Sequence, residues 1–247
     1  MPIIASELQA RQAANMPETD AALCGGAILT TGIVELTQLA VNDTIRVSSS
    51  AAGDTTQTVT IDGRLASGVR TTEVLTLNGT TVVSGAVTFE RILKLTLSAA
   101  AAGIVTVARN TTPFTTIVAV PIGITSVVTL FIDSASDVAQ VVRYMKMFMR
   151  NTNATLALTT AVTRLTTDPA TSIRIANAAA KGDATTIANR LAAPAGVTFV
   201  DDGIDQAVPT GNLGAAENIG VWIEMTRGAS AAAIKSTFTV RLAGNTV

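Results

Sequence analysis

The chain has 247 residues, of which 48% are hydrophobic and only 14% are charged, and its formal net charge is −1. Charged residues usually make up about a quarter of a soluble domain; here small uncharged residues, including 39 threonines, take their place. Threonine favours strands over long helices, and aromatics at 3% leave aliphatic side chains to build the cores. The nearly balanced charge excludes a general electrostatic attraction to nucleic acid or to anionic lipid.

The residue types on which most enzymes depend are scarce. The chain has no histidine, the commonest general base and metal ligand, and a single cysteine, Cys24. One cysteine excludes an internal disulfide and a zinc site built from thiolates. Neither a GxxxxGK[ST] phosphate loop nor a GxGxxG motif is present. We therefore expect a protein that is not an enzyme and that uses no cofactor.

One dense acidic cluster is a candidate metal site. Asp201, Asp202 and Asp205 lie within five residues of each other, and carboxylates are preferred ligands of calcium. Their spacing does not match the EF-hand loop, and Gly203 between them is typical of a turn. We therefore interpret the cluster as a solvated turn and expect no bound metal.

Residues 1–30 are predicted to form an N-terminal arm. Ser6 followed by Gln9 fits a capping box, which predicts a two-turn helix over residues 7–14 that ends before Pro17. A helix this short is marginal alone, so we expect the arm to dock on a neighbouring subunit. Its apolar side chains, and hence its interface candidates, are Ile3, Ile4 and Leu8.

Residues 31–112 have the pattern of a first β-domain. Apolar and polar residues alternate with a period of two over residues 58–62, which predicts a strand. Asn78 followed by Gly79 predicts a hairpin, since both positions of its turn need a positive φ. The strand over residues 87–97 is predicted to carry a bulge near Glu90 and Arg91, where the inward apolar series is interrupted.

Residues 113–247 are predicted to form a second β-domain with a long loop at about residues 177–218, rich in Ala, Gly, Asp and Pro. Its predicted strands cover residues 126–132, 141–150, 155–165, 172–176, 220–227 and 236–242. The fold class is therefore all-β: two β-sandwich domains, Ig-like or jelly-roll-like, after a short helical arm.

The most apolar stretch, residues 117–132, is interrupted by Pro121 and Gly123 and is too short for a membrane span. The N-terminus also lacks the charged and apolar regions of a signal peptide.

The strand over residues 141–150 is apolar on both faces. One face carries Met145, Met147 and Met149, and the other carries Tyr144, Lys146 and Phe148. A strand with one solvated face should alternate between apolar and polar residues, so one side packs the core and the other meets something else. We predict that the methionine face is buried, either in the core or between subunits.

The strand over residues 219–225 raises the same question, because Trp222 lies opposite its predicted core face. Trp222 is therefore an interface candidate. The competing interpretation is that the chain's own long loop covers it.

Two parts of the sequence resemble structural proteins of tailed phages. Residues 56–98, TQTVTIDGRLASGVRTTEVLTLNGTTVVSGAVTFERILKLTLS, resemble a small β-sandwich module common in tailed-phage virion proteins. The segments YMKMFMRNTNATLALTTAVTRLTTDP, PAGVTFVDD and NLGAAENIGVWIEMTRGASAAA resemble the C-terminal half of phage neck or collar proteins. Together these segments cover about two thirds of the chain, and their motifs are mostly turn and packing residues.

The resemblance implies a non-enzymatic structural component of a tailed-phage virion, assembled in the host cytoplasm. It implies a homo-oligomeric collar or neck at the head–tail junction, whose partners are copies of itself and portal, neck, capsid or tail proteins. It implies no nucleic-acid and no membrane partner, and no functional residue carries over from it.

Other functions compatible with the sequence are a capsid decoration or tail-associated protein, a carbohydrate-binding β-sandwich module and a carboxylate hydrolase. Sugar binding usually needs exposed aromatic residues, and Trp222 and Tyr144 are the large candidates in this sequence.

Overall fold

The structure, a computed structural model, describes residues 2–132, 138–168, 172–230 and 237–246. Strands account for 51% of the residues and helix for about 1%, which confirms the all-β prediction. Within the described ranges, no helix is long and apolar enough to cross a membrane.

The described residues contain seventeen strands, numbered in chain order. The first three are β1 (Leu8–Asn15), β2 (Cys24–Ile33) and β3 (Ile45–Ser49). The next seven are β4 (Thr58–Arg64), β5 (Arg70–Thr76), β6 (Val83–Ser84), β7 (Arg91–Leu97), β8 (Val105–Arg109), β9 (Thr116–Val120) and β10 (Ser126–Val128). The last seven are β11 (Val141–Asn151), β12 (Leu158–Thr167), β13 (Ile173–Lys181), β14 (Thr186–Ile187), β15 (Gln206–Ala207), β16 (Asn218–Arg227) and β17 (Thr239–Thr246).

The chain divides into two compact units. Unit 1 comprises Met1–Leu29 and Leu130–Val247, and unit 2 comprises Thr30–Thr129. This division differs from the predicted domains at two places. The N-terminal residues belong to the same unit as the C-terminal half of the chain, and residues 113–129 belong with residues 30–112. The second difference arises because β9 pairs with β8, and β10 pairs with β7, both of which are strands of unit 2.

Unit 2 contains two sheets that share one core. In the first sheet β10, β7, β4 and β5 are neighbours, and in the second the order is β6, β3, β8 and β9. Alternating residues of both sheets turn their side chains inward, as the period of two requires. Val59 and Ile61 of the first sheet and Ile45 and Val107 of the second are fully buried in a single hydrophobic cluster.

In unit 2 the structure differs from two local predictions, the bulge in β7 and the hairpin at Asn78 and Gly79. The register between β4 and β7 shifts at Leu93, two residues beyond the bulge predicted near Glu90 and Arg91. The turn at Asn78 and Gly79 exists, and Gly79 has φ +56°, but it does not join a hairpin. The strand before it, β5, pairs with β4, whereas the strand after it, β6, pairs with β3 in the other sheet. A local turn signal cannot specify which non-local partner the next strand chooses.

Unit 1 is organised around β11. The order of its larger sheet is β13, β16, β11, β1 and β2, with β14 paired to the N-terminal end of β2. A second sheet contains β15, β12 and β17. The hydroxyl of Thr163 on β12 donates a 2.6 Å hydrogen bond to Asn177 Oδ1 on β13, which links the two sheets.

The predicted helical arm is wrong. Only residues Ala5–Glu7 form a single 3-10 turn, and β1 then pairs antiparallel with β11 from Leu8 opposite Asn151 to Gln12 opposite Met147. The local helix signals are outweighed because an eight-residue helix gains little by itself, whereas the same residues complete a sheet. The N-terminus is therefore an internal strand of unit 1 within its own chain.

The strands predicted in residues 141–227 are confirmed, with ends that differ by a few residues. The predicted strand at residues 236–242 corresponds to β17, and residue 236 lies outside the described ranges. The predicted loop at residues 177–218 is shorter than expected, since β13 continues to Lys181 and the loop contains β14 and β15.

Candidate functional site

The methionine face of β11 is buried inside unit 1, as predicted. Met145, Met147 and Met149 are 2%, 4% and 6% exposed, and the backbone N–H of Phe131 lies 3.0 Å from the sulfur of Met145. The chain's own residues cover this face. A contact with another subunit through these methionines would require unit 1 to open.

Trp222 is also covered by its own chain. It is 1% exposed, and a Cβ added to Gly25 would lie 2.8 Å from its ring and 2.8 Å from the carbonyl oxygen of Thr185. Gly25 has φ +96°, so its backbone conformation and this close approach both require glycine. The surface of a single chain therefore does not offer Trp222 to a partner. The residue found against its ring, Gly25, belongs to β2, and the long loop meets the same glycine through Thr185.

A buried lysine near Trp222 holds one end of the long loop. Lys146 on β11 is fully buried, and its ammonium donates hydrogen bonds of 2.6 Å and 2.8 Å to the carbonyl and carboxylate oxygens of Asp183 and one of 3.3 Å to the carbonyl of Thr185. The ammonium also lies 5.3 Å from the Trp222 ring centroid. Burial lowers the pKa of Lys146, and the hydrogen bond to Asp183 opposes that shift.

A second charge group holds the segment between β1 and β2. Asp20 accepts hydrogen bonds from Arg143 at 2.8 and 2.9 Å and from Arg190 at 2.7 and 3.0 Å. Both arginines are buried, whereas Asp20 keeps 32% of its side chain exposed. The hydrogen bond from Arg143 is the main reason that the pKa of Asp20 lies below its usual value. This group ties three distant parts of unit 1 together.

The geometry of these ion pairs suits them to holding loops against strands. Each charged group meets an opposite charge or a backbone carbonyl at hydrogen-bond distance, and each joins a loop to a strand. Within the described ranges, no three His, Cys, Asp or Glu side chains are grouped as metal ligands would be. The arrangement can hold loops in place and can exclude water from the sheet.

The three aspartates of the candidate calcium site are all exposed. Asp205 pairs with Arg164 at 2.8 Å, with about half of the Asp205 side chain and a smaller part of the Arg164 side chain exposed, and Gly203 has φ +78°. The structure thus places Asp201, Asp202 and Asp205 around a turn, as the sequence interpretation expects.

The N-terminal interface candidates differ in exposure. Ile4 is 58% exposed, whereas Ile3 and Leu8 are half-buried. Glu7 fixes this end, because its carbonyl accepts hydrogen bonds from the backbone N–H and hydroxyl of Thr152 and its carboxylate accepts one from Asn153. Ile4 alone of the seven predicted interface residues therefore has a largely exposed side chain.

Phe114 is an exposed aromatic residue that the sequence does not mark as a candidate. Phe114 is 50% exposed, and the guanidinium of Arg46 on β3 lies 3.8 Å from its ring centroid. Arginine and aromatic residues are enriched in the centres of protein interfaces. No sequence pattern marks Phe114, because the contact joins residues that are distant along the chain.

Comparisons with known proteins give no family for this chain: no family model, no curated protein and no solved structure matches it.

Replacing Lys146 with Met is expected to cost unit 1 about 3 kcal/mol of unfolding free energy, because it leaves Asp183 and two backbone carbonyls without their buried cation. The matched control is Lys181→Met, which removes the partly exposed ion pair with Glu217 and should cost less than about 1 kcal/mol. Urea unfolding followed by the emission of Trp222 measures both. Equal losses in the two variants would contradict this role of Lys146.

The stability of unit 1 is expected to fall in acid. Hydrogen bonds from Arg143 to Asp20 and from Lys181 to Glu217 hold the pKa of each carboxyl below its usual value. Between the folded and unfolded pKa values the unfolded state binds more protons, so stability is present above about pH 4 and is lost as pH falls further. Urea midpoints at pH 7, 4 and 3 measure the effect. Asp20→Asn should lower the pH 7 midpoint and flatten the acid dependence, and an unchanged dependence would argue against Asp20.

Proposed function

We propose that this chain is a non-enzymatic structural protein that assembles with copies of itself as a component of a tailed-phage virion. The location that we favour is a collar or neck at the head–tail junction, with portal, neck, capsid or tail proteins as further partners. Assembly would take place in the host cytoplasm. The sequence resemblance and the surface of unit 2 support this proposal.

The exposed apolar surface of unit 2 carries the proposal. Seven large apolar side chains of this unit are between 41% and 64% exposed: Val41, Val69, Val74, Val82, Ile104, Phe114 and Ile122. Lys94 is the one lysine between residues 30 and 129. Protein interfaces are depleted in lysine and apolar at their centres, so this composition supports a role for unit 2 in assembly.

The proposal includes a β-sandwich architecture, Ig-like or jelly-roll-like, for each unit. For unit 2 it is supported by the two sheets that share one hydrophobic cluster, because packing of two sheets face to face is the defining feature of a sandwich. For unit 1 the support is the hydrogen bond between Thr163 and Asn177, which joins its two sheets.

The alternatives within the same class are a capsid decoration protein and a tail-associated protein. A carbohydrate-binding module gains less support, since Trp222 is buried and Tyr144 is half-buried. Phe114 is then the exposed aromatic that remains, and a sugar platform usually needs more than one.

Electron microscopy of particles assembled with a gold-labelled copy of the chain tests the proposal. Label at the head–tail junction is the expected result. Label over the capsid would favour a decoration protein, and label along the tail would favour a tail-associated protein. Particles that exclude the labelled chain would contradict a virion role altogether.

A further inference from the structure

Strand β5 is an open edge of unit 2. Leu75 and Glu73 lie opposite Val59 and Ile61 of β4, and the register continues over seven consecutive pairs without a shift. On the outer row, Thr72, Val74 and Thr76 are all exposed, and no backbone hydrogen bond to their free side occurs within the described residues. An edge of this kind is a template for pairing with another strand.

In the described parts of the chain, the edge strands β6 and β15 are only two residues long, and β9, β13 and β17 are partly covered or pair irregularly. The backbone N–H of Thr37 donates to the carbonyl of Ile117 on β9, and Ile175 on β13 forms a two-way bridge with Val200. Strand β17 pairs with β12 through a ladder that two bulges interrupt, with the extra residues on β12, and bulges add local twist to the strands that they join. Strand β5 is regular and has none of these protections.

The charged residues of β5 do not oppose an incoming strand. The guanidinium of Arg70 pairs with both carboxylate oxygens of Asp62 on the neighbouring strand. The carboxylate of Glu73 accepts hydrogen bonds from the backbone N–H groups of Ala86 and Val87, at 2.6 and 3.1 Å. Both charges are thus engaged within the unit, and the residues left to meet a partner are uncharged.

The exposed row of β5 is self-complementary. Thr72 and Thr76 lie at equal distances on either side of Val74, which is 58% exposed. In an antiparallel pair of two copies centred on Val74, each valine faces the other valine, and Thr72 faces Thr76 of the other copy. A two-fold interface requires that residue i contacts j while j contacts i, and this row meets that condition. The same register places Glu73 opposite Leu75 and keeps the two glutamates apart.

We propose that two copies of the chain pair through β5, in antiparallel register about Val74, so that the two sheets join into one. This inference rests on the self-association in the proposed function and assigns it to one strand. It concerns the chain alone, and it holds or fails whatever particle the chain belongs to.

Disulfide trapping tests the register. Directly opposed residues of a hydrogen-bonded antiparallel pair have Cα atoms about 5.5 Å apart, within the range that a disulfide spans. Val74→Cys is therefore expected to form a covalent dimer under mild copper-catalysed oxidation, at a concentration at which the wild type self-associates. The matched control is Val69→Cys, which is equally exposed but would lie about 33 Å from its counterpart in this register. The native Cys24 is buried in both variants.

The partners of the outer row give a second readout. A mixture of Thr72→Cys and Thr76→Cys chains should yield a mixed cross-linked dimer, while each variant alone should not. At a concentration at which the wild type associates, the Val74→Lys variant should sediment as a smaller species. The Val69→Lys variant should sediment like the wild type.

Two outcomes would overturn the inference. If the wild type associates but Val74→Cys cross-links no better than Val69→Cys, β5 is not the interface and the chain self-associates through another surface. If the wild type is monomeric at every concentration, both the β5 interface and the proposed self-assembly fail.

Discussion

Removal of residues 2–15 is expected to leave unit 1 unfolded. These residues contain β1, which lies between β11 and β2 in the larger sheet, and its residues Arg11, Gln12 and Ala13 are at most 8% exposed. Without β1 the hydrogen-bonding edge of β11 would meet water. The expected loss is comparable with the whole stability of a domain, about 5–15 kcal/mol.

The emission of Trp222 reports this loss directly. Trp222 is the one tryptophan of the chain and is buried in unit 1, so its spectrum should move to that of a solvated indole in the truncated chain. The matched control removes residues 2–4, which precede β1, and should keep the native spectrum. A truncated chain with native emission would show that unit 1 folds without β1, as expected of an N-terminal arm that docks on a neighbouring subunit.

The substitution Trp222→Ala is expected to cost about 3–5 kcal/mol, the usual range for removing a large buried aromatic side chain. The ring lies close to Gly25 and to the ammonium of Lys146. Gly25 has no side chain that could fill the cavity left by the ring. The cavity would also remove the aromatic face beside a buried cation.

Urea unfolding followed by circular dichroism measures this cost, and sedimentation measures association in parallel. The matched control is Phe114→Ala, which removes a half-exposed ring and should change stability by less than about 1 kcal/mol. We expect Trp222→Ala to lose stability and Phe114→Ala to retain it. A Trp222→Ala variant that unfolds like the wild type but no longer associates would move this side chain from the core to an interface.

The sequence predicts those parts of the fold that depend on local alternation. The strands corresponding to β4, β11 and β16 follow from apolar residues at every second position, and the two apolar faces of β11 correctly predict burial of its methionines. The N-terminal strand could not be recognised in this way, because residues 7–14 carry helix-start signals and lack alternation. Their conformation is decided by the partner strand β11, which lies more than a hundred residues away.

The charge groups of unit 1 could not be predicted for the same reason. Lys146 and Asp183 are 37 residues apart, and Asp20 and Arg190 are 170 apart. Composition shows only that arginine is preferred to lysine, which is consistent with buried ion pairs but names no partner. The open edge at β5 could be recognised only from the sheet order, since the sequence had suggested a hairpin between β5 and β6 at Asn78 and Gly79.

Sedimentation velocity of the full-length chain over a range of concentrations tests the central claim most directly. The chain has a mass of 25.2 kDa, and a structural protein of an assembly should show a discrete larger species that grows with concentration. That species should persist in high salt, because the contacting residues of β5 are uncharged. A single species of monomer mass at every concentration would contradict the claim that this protein acts by assembling with copies of itself.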